Sequence, residues 1–320
     1  ADMQPTILNF LTQLKWQPVI EGSPLPSVQR YILCGMGGSA LAGGLLTACD
    51  PAIPLAVHRD YGLPVLSATD FGSTLIIVAS FSGQTEEMLD AYDQAREAGW
   101  PLIVITAGGK LLACARRDSV PHIIIPDATI QPRAAVGYFL KALALITGAK
   151  GISDELESLA PTFDLAKIET DAQSLAKCLV GRLPLFYSSG RYVALAYYWK
   201  IMMNETAKIP AFSNTVPEQN HNELASFGAG SSSTPFTVVT IESADDHPRV
   251  AKRFALLAEI LPTLNSPTEK ISLSGALPVA RVINSILFAS ATALALAHAR
   301  GVDPSAVPVI EDFKSKLKII

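Results

Sequence analysis

TLIIVASFSGQTEEMLDAYDQAREAGWPLIVIT, residues 74–106, decides the fold. Its two ends are short, β-branched and almost continuously apolar, as strands covered on both faces must be. Its middle carries helix formers and ends near a glycine. A strand, a helix and a second strand in this order imply a parallel sheet wound on both sides.

The same alternation extends outward. RYILC (30–34), IPLAVH (53–58) and HIIIP (122–126) read as further strands, and GGSALAGGLLTAC and RAAVGYFLKALALITG as helices. After Gly148 the character changes. Residues 151–181 are polar with a helical period and read as a linking helix pair. A second alternating block follows: LPLFYSS (183–189), a helix over about 191–208, PFTVVTIES (235–243), a helix over 248–260 and a long helix over 281–300. ILCGMGGSALA (32–42) is weakly repeated as LFYSSGRYVALA (185–196). The expected architecture is α/β, with two doubly wound parallel sheets in tandem. A helical segment over 1–28 precedes one domain over 29–150 and another over 151–320.

Composition narrows the function. The chain has 320 residues, 49% hydrophobic and 17% charged, enough apolar surface for a sizeable core. A formal net charge of −4 gives no global positive field, so neither nucleic acid nor an anionic membrane is an expected partner. Four scattered cysteines fit neither a metal knuckle nor a disulfide framework, which makes a reducing cytoplasm the simplest compartment. The N-terminal residues lack the basic start of a secretory signal. The longest apolar run, Val282 to Ala297, is 16 residues, short of the roughly 18 to 20 a spanning helix needs.

Two strand-to-helix turns suit an anion. In Gly35-Met36-Gly37-Gly38-Ser39 the glycines let the backbone approach a ligand while helix N-terminal amides point at it. Ser80-Phe81-Ser82-Gly83-Gln84-Thr85 adds three hydroxyls at the next helix start. Both turns fall at the carboxyl ends of strands, where open parallel sheets bind ligands. Neither matches a Walker loop, and Gly35-x-Gly37 lacks the third glycine of a dinucleotide site. The corresponding turn of the second block, Glu242-Ser243-Ala244-Asp245-Asp246, would repel phosphate, so one phosphate per chain is expected.

Acid, base and cation candidates lie elsewhere. Glu205, near the end of an apolar helix, is either a proton-abstracting base or a carboxylate paired with Lys200 or Lys208. His221, between amides and acids in Pro217-Glu218-Gln219-Asn220-His221-Asn222-Glu223, suits proton transfer, with metal binding through Glu218 and Glu223 as the competing use. Arg133 opens a helix, where a positive charge opposes the dipole and suggests an anionic partner. Lys314 lies in a final amphipathic helix and, taken alone, reads as solvated.

In their order, GMGGSA, SFSGQTEE, QPRAAVGY, NETAKIPAF, VPEQNHNE and a lysine near the C-terminus resemble the bifunctional phosphoglucose/phosphomannose isomerases, within the phosphoglucose isomerase superfamily. The resemblance covers nearly the whole chain. It implies two flavodoxin-like sugar isomerase domains and interconversion of glucose 6-phosphate, and of mannose 6-phosphate, with fructose 6-phosphate. Gly37, Gly38, Ser39, Ser80, Ser82 and Thr85 would line the sugar-phosphate site. Glu205 would be the base, Arg133 the cation beside a cis-enediolate, His221 the ring-opening histidine and Lys314 a second ring-opening or positioning group. No metal or redox cofactor is implied. A homodimer with shared sites is implied, because the histidine of this superfamily commonly comes from the neighbouring subunit. The bifunctional members also place a threonine shortly before the lysine, where this chain offers Ser305. A sugar-phosphate-sensing regulatory protein is the alternative: it would keep the serine turns but could dispense with Glu205, His221 and Lys314.

Overall fold

The computed structural model describes residues 4–126, 128–227 and 236–317. Residues 1–3 of the expected N-terminal helical segment and Pro235, where the strand over 235–243 was expected to begin, lie outside them. Two compact units emerge, one of residues 4–163 with 275–282, the other of 164–274 with 283–317.

In the first unit the chain runs α1 (Gln4–Lys15), β1 (Arg30–Gly35), α2 (Gly37–Cys49), β2 (Leu55–His58), β3 (Thr74–Ser80), α3 (Glu86–Glu97), β4 (Leu102–Thr106), α4 (Gly109–Arg117), β5 (His122–Ile124), α5 (Val136–Ile146) and α6 (Lys150–Leu159). The five strands are parallel in the order β2-β1-β3-β4-β5. This is the flavodoxin-like order, with its switch point between β1 and β3. All seven residues of β3 are buried, as a central strand sandwiched by helices requires. One face packs Ile76 and Val78 against Met88, Ala91, Tyr92 and Ala95 of α3. The unit runs on to Phe163 because α6 packs on α5 and α1, burying Leu156.

The second unit contains α7 (Leu165–Leu179), β6 (Leu183–Ser189), α8 (Val193–Glu205), β7 (Phe212–Val216), α9 (Leu224–Phe227), β8 (Phe236–Glu242), α10 (Pro248–Thr263) and β9 (Thr268–Ser272). Most of α11 (Pro278–Ala299) and all of α12 (Pro308–Leu317) follow. The sheet is parallel, in the order β7-β6-β8-β9. Trp199 of α8 is fully buried between Phe186 and Phe288, with ring centroids 5.5 and 5.2 Å away, and its indole N–H donates to Ser285 Oγ at 2.9 Å. Among the described residues α11 alone is long and apolar enough to cross a membrane, but 67% of its apolar window is buried, as in a core helix.

Three local expectations are corrected. The helix expected over 191–208 is shorter: a 3-10 turn occupies Gly190–Tyr192 and α8 stops at Glu205. Lys208 then takes a left-handed backbone, φ +58°, which no helix continues through. The loop expected at 217–223 contains a 3-10 turn, Glu218–His221. Arg133 lies not in the first turn of a helix but in a 3-10 turn, Pro132–Ala134, ahead of α5, so the clash with the helix dipole is smaller than expected.

Candidate active site

Strand register brings the candidate residues of the first unit together. Gly35 is level with Ala79, and Ser80 with Thr106, so β1, β3 and β4 end side by side and release their turns on the same edge of the sheet. Ser39, in the first turn of α2, accepts a bond on Oγ from the Phe81 amide at 3.3 Å, tying the glycine turn to the hydroxyl turn. Gly37 has φ +49°, in the left-handed region that favours glycine.

The hydroxyl turn is internally bonded. Ser80 and Thr85 share a bond of 2.8 Å between their hydroxyls, and the Gly83 amide donates to Ser80 Oγ at 3.1 Å. The Gln84 amide donates to Ser82 Oγ at 3.2 Å. Ser39 and Ser80 are buried, Thr85 is half-buried, and Ser82 and Gly37 are exposed at the rim. Two residues the sequence did not single out complete this edge. Gly108 and Gly109, after β4, pack so closely on the hydroxyl turn that a Cβ on Gly83 would lie 1.9 Å from Gly108 O, and one on Gly109 2.3 Å from Ser82 O. The Gly108-Gly109 pair was the one visible signal.

Arg133 joins the same group. A Cβ on Gly38 would come within 2.9 Å of Pro132 O and 3.3 Å of Arg133 Cα, so the glycine lets the arginine turn close on α2. Arg133 is buried, with one guanidinium nitrogen 3.5 Å from Gln131 Oε1. Gln13 of α1, fully buried, steadies the turn by donating to Ala134 O at 2.8 Å and accepting from the Tyr138 amide at 3.3 Å. Nothing in the sequence around Gln13 announced that role. Burial pushes the Cys34 thiol of β1 up to about 12, so it is no nucleophile at neutral pH.

The remaining candidates belong to the second unit. Glu205 is half-buried and is the last residue of α8. The Lys208 ammonium donates to its main-chain carbonyl and to that of Ala306. A cation is thereby set at the negative end of the helix, which is also fastened to the segment before α12. Lys314 is exposed on α12, a helix with no buried residue. Ser305 lies in the segment before it, its amide donating to Asp303 Oδ1 at 2.8 Å. His221 is exposed at the end of its 3-10 turn. The acids beside it are otherwise engaged. Glu223 accepts from Tyr187 and Asn214, and Glu218 from Asn222, so the three do not form a gathered ligand set.

A flavodoxin-like sheet with glycine and hydroxyl turns at its carboxyl edge, followed by a second parallel sheet, defines the class of tandem sugar isomerase (SIS) proteins. Residues 168–317 match the family model of the bacterial phospho-glucose isomerase C-terminal SIS domain. The fold is shared with a glucose-6-phosphate isomerase like protein from Thermus thermophilus, at a TM-score of 0.61 and 18% identity, over 98% of this chain and 95% of that one. The bifunctional phosphoglucose/phosphomannose isomerase of Caldicellulosiruptor bescii is 33% identical over 314 residues, covering 91% of this chain and 90% of the relative. That of Thermoplasma acidophilum is 33% identical over 311 residues, 96% of each chain. The chain belongs to the bifunctional phosphoglucose/phosphomannose isomerase family.

Proposed function

We propose that this chain is an aldose-ketose isomerase that interconverts glucose 6-phosphate and mannose 6-phosphate with fructose 6-phosphate. The observation that carries this is the convergence of GMGGSA, SFSGQTEE and QPRAAVGY on one sheet edge, through the Ser39–Phe81 bond and the contact of Gly38 with the Arg133 turn. Hydroxyls and amides there hold the phosphate dianion, fixing the sugar before proton transfer. His221 and Lys314 open the ring. Glu205 removes the proton from C2 of the aldose and returns it to C1, and Arg133 stabilises the cis-enediolate formed between the two transfers. No metal or redox cofactor enters this scheme.

On the same reading the enzyme serves glycolysis and gluconeogenesis in the cytoplasm, as a homodimer in which His221 acts in the neighbouring subunit's site. Supporting the dimer, α12 exposes Val309, Ile310 and Phe313 beside Lys314, apolar surface that a second copy would cover. The net charge of −4 argues against nucleic acid or an anionic membrane as partner.

Glucose 6-phosphate and mannose 6-phosphate are offered separately, with a chelator present, and both are expected to yield fructose 6-phosphate. In heavy water, Glu205→Gln is expected to lower kcat by about 10³-fold and to stop deuterium entering C1 and C2, while sugar-phosphate binding persists. Near wild-type turnover by that variant would remove Glu205 as the base.

A further inference from the structure

The 3-10 turn that carries His221 buries Gln219 and takes a bond from Arg253 at Asn220 Oδ1, 3.1 Å, and a residue just beyond it ties it to the sheet. Tyr187 on β6 and Asn214 on β7 are direct partners in the sheet register. Glu223, two residues after His221, spans both: Tyr187 donates to Oε2 at 2.7 Å and Asn214 to Oε1 at 2.6 Å. Neither donor can wander. Tyr187 is 1% exposed, with its ring packed among Val216, Val238, Phe254 and Leu257, and the Asn214 side-chain oxygen Oδ1 accepts from the Thr215 amide at 2.7 Å. The main chain beyond the turn is locked to the same residue, since the Ser226 amide and hydroxyl both donate to Glu223 O, at 3.0 and 2.7 Å. His221 itself is exposed, so its orientation is set by how its turn and the residues flanking the turn are held.

We infer that Glu223 is a positioning residue for His221, clamping the turn to β6 and β7 so that the imidazole is presented for ring opening. The inference rests on the role given above to His221. A carboxylate suits the task because it offers acceptors on both oxygens to two donors, whereas a glutamine amide nitrogen accepts nothing. Burial and the Glu223 contact both push the Tyr187 phenol above its ordinary range, so it stays a donor throughout the working pH.

Glu223→Gln and His221→Ala are compared, singly and together, in kcat and KM for glucose 6-phosphate. Glu223→Gln is expected to lower kcat between about 10- and 100-fold. KM should stay within about twofold, because the phosphate contacts are untouched. In the His221→Ala background the same change should alter kcat by less than about twofold, the signature of a residue acting through the histidine. Equal losses in both backgrounds, or wild-type kcat in Glu223→Gln, would overturn the proposal. Wild-type kinetics in His221→Ala would instead overturn the role of His221, leaving Glu223 nothing to position. If Glu223→Gln lowers the folded yield, Tyr187→Phe removes one donor while keeping the ring in the core, and the same silence in the His221→Ala background is expected.

Discussion

The turn after β3 in the first unit and the turn after β8 in the second occupy the same place in their sheets and carry opposite chemistry. After β3, hydroxyls bond to one another and to main-chain amides: Ser80 to Thr85 and Gly83, Ser82 to Gln84. After β8 the anion comes from the loop itself. The Ser243 amide donates to Asp246 Oδ2 at 2.8 Å, and Asp245 takes Arg191 at 2.8 Å and the Tyr192 hydroxyl at 3.0 Å. Glu242 is paired with Lys270 at 2.7 Å. On the proposed reading, one turn takes an anion that arrives with the substrate. In the other, amide, hydroxyl and guanidinium groups are already engaged by the loop's own carboxylates. Fold equivalence therefore does not imply site equivalence, and one phosphate per chain is the expectation.

The comparison breaks most completely at Gly83. Its φ of +62° and the 1.9 Å approach of an added Cβ to Gly108 O leave no room for a side chain. Gly83→Ala has to push the hydroxyl turn off the turn after β4, and kcat/KM is expected to fall at least about 100-fold, because the phosphate is no longer held in register. Steady-state kinetics beside a circular dichroism spectrum, to show that the unit stays folded, would check it. A variant with wild-type kcat/KM would mean that the phosphate is held elsewhere.

A smaller effect separates the hydroxyls from the backbone. Ser80→Ala removes the group that bonds both Thr85 and the Gly83 amide, while Ser82→Ala removes one acceptor at the rim, that of the Gln84 amide. A hydrogen bond to a charged group contributes about 1.5–3 kcal/mol, so KM should rise about 10- to 100-fold for Ser80→Ala, and less for Ser82→Ala. Inorganic phosphate, titrated as a competitive inhibitor, should weaken in the same order. The reverse order would place the phosphate toward the rim.

What the sequence showed of this contrast follows from how each feature is encoded. Five strands of the first sheet were legible because their residues are apolar on both faces, and both serine and glycine turns were legible as spacing. β7 and β9 were missed because FSNTV and TEKIS carry polar side chains at the edges of their sheet, where the pattern fades into that of loops. Gln13 and the Gly108-Gly109 pair were missed for a different reason: their contribution is a tertiary contact, invisible until α1 meets the Arg133 turn and β4 ends beside β3. Glu223 was visible only as an acid near a histidine, with metal binding as the competing use, until Tyr187 and Asn214 are seen to occupy its oxygens.

The subtlest effect sharpens the comparison from the side of the second turn. Burial, the first cause, raises the Asp246 carboxyl above its usual range, and the neighbouring charges of Asp245 and Glu242 push the same way. A carboxyl whose folded value lies above its unfolded value releases its proton more readily when the chain unfolds. Its ionisation therefore costs stability as pH rises from the ordinary carboxylate value through the raised one, and the cost is complete above it. Asp246→Asn keeps an oxygen for the Ser243 amide and removes the charge. At neutral pH the melting temperature should rise by about 2 °C, and the gain should vanish on acidification below the ordinary carboxylate range. Kinetics should stay at wild type, because the proposed function gives this loop no substrate group to hold. A loss of stability at neutral pH would mean that the ionised Asp246 is held favourably by the Ser243 amide, and that the second turn is as well fitted to an anion as the first.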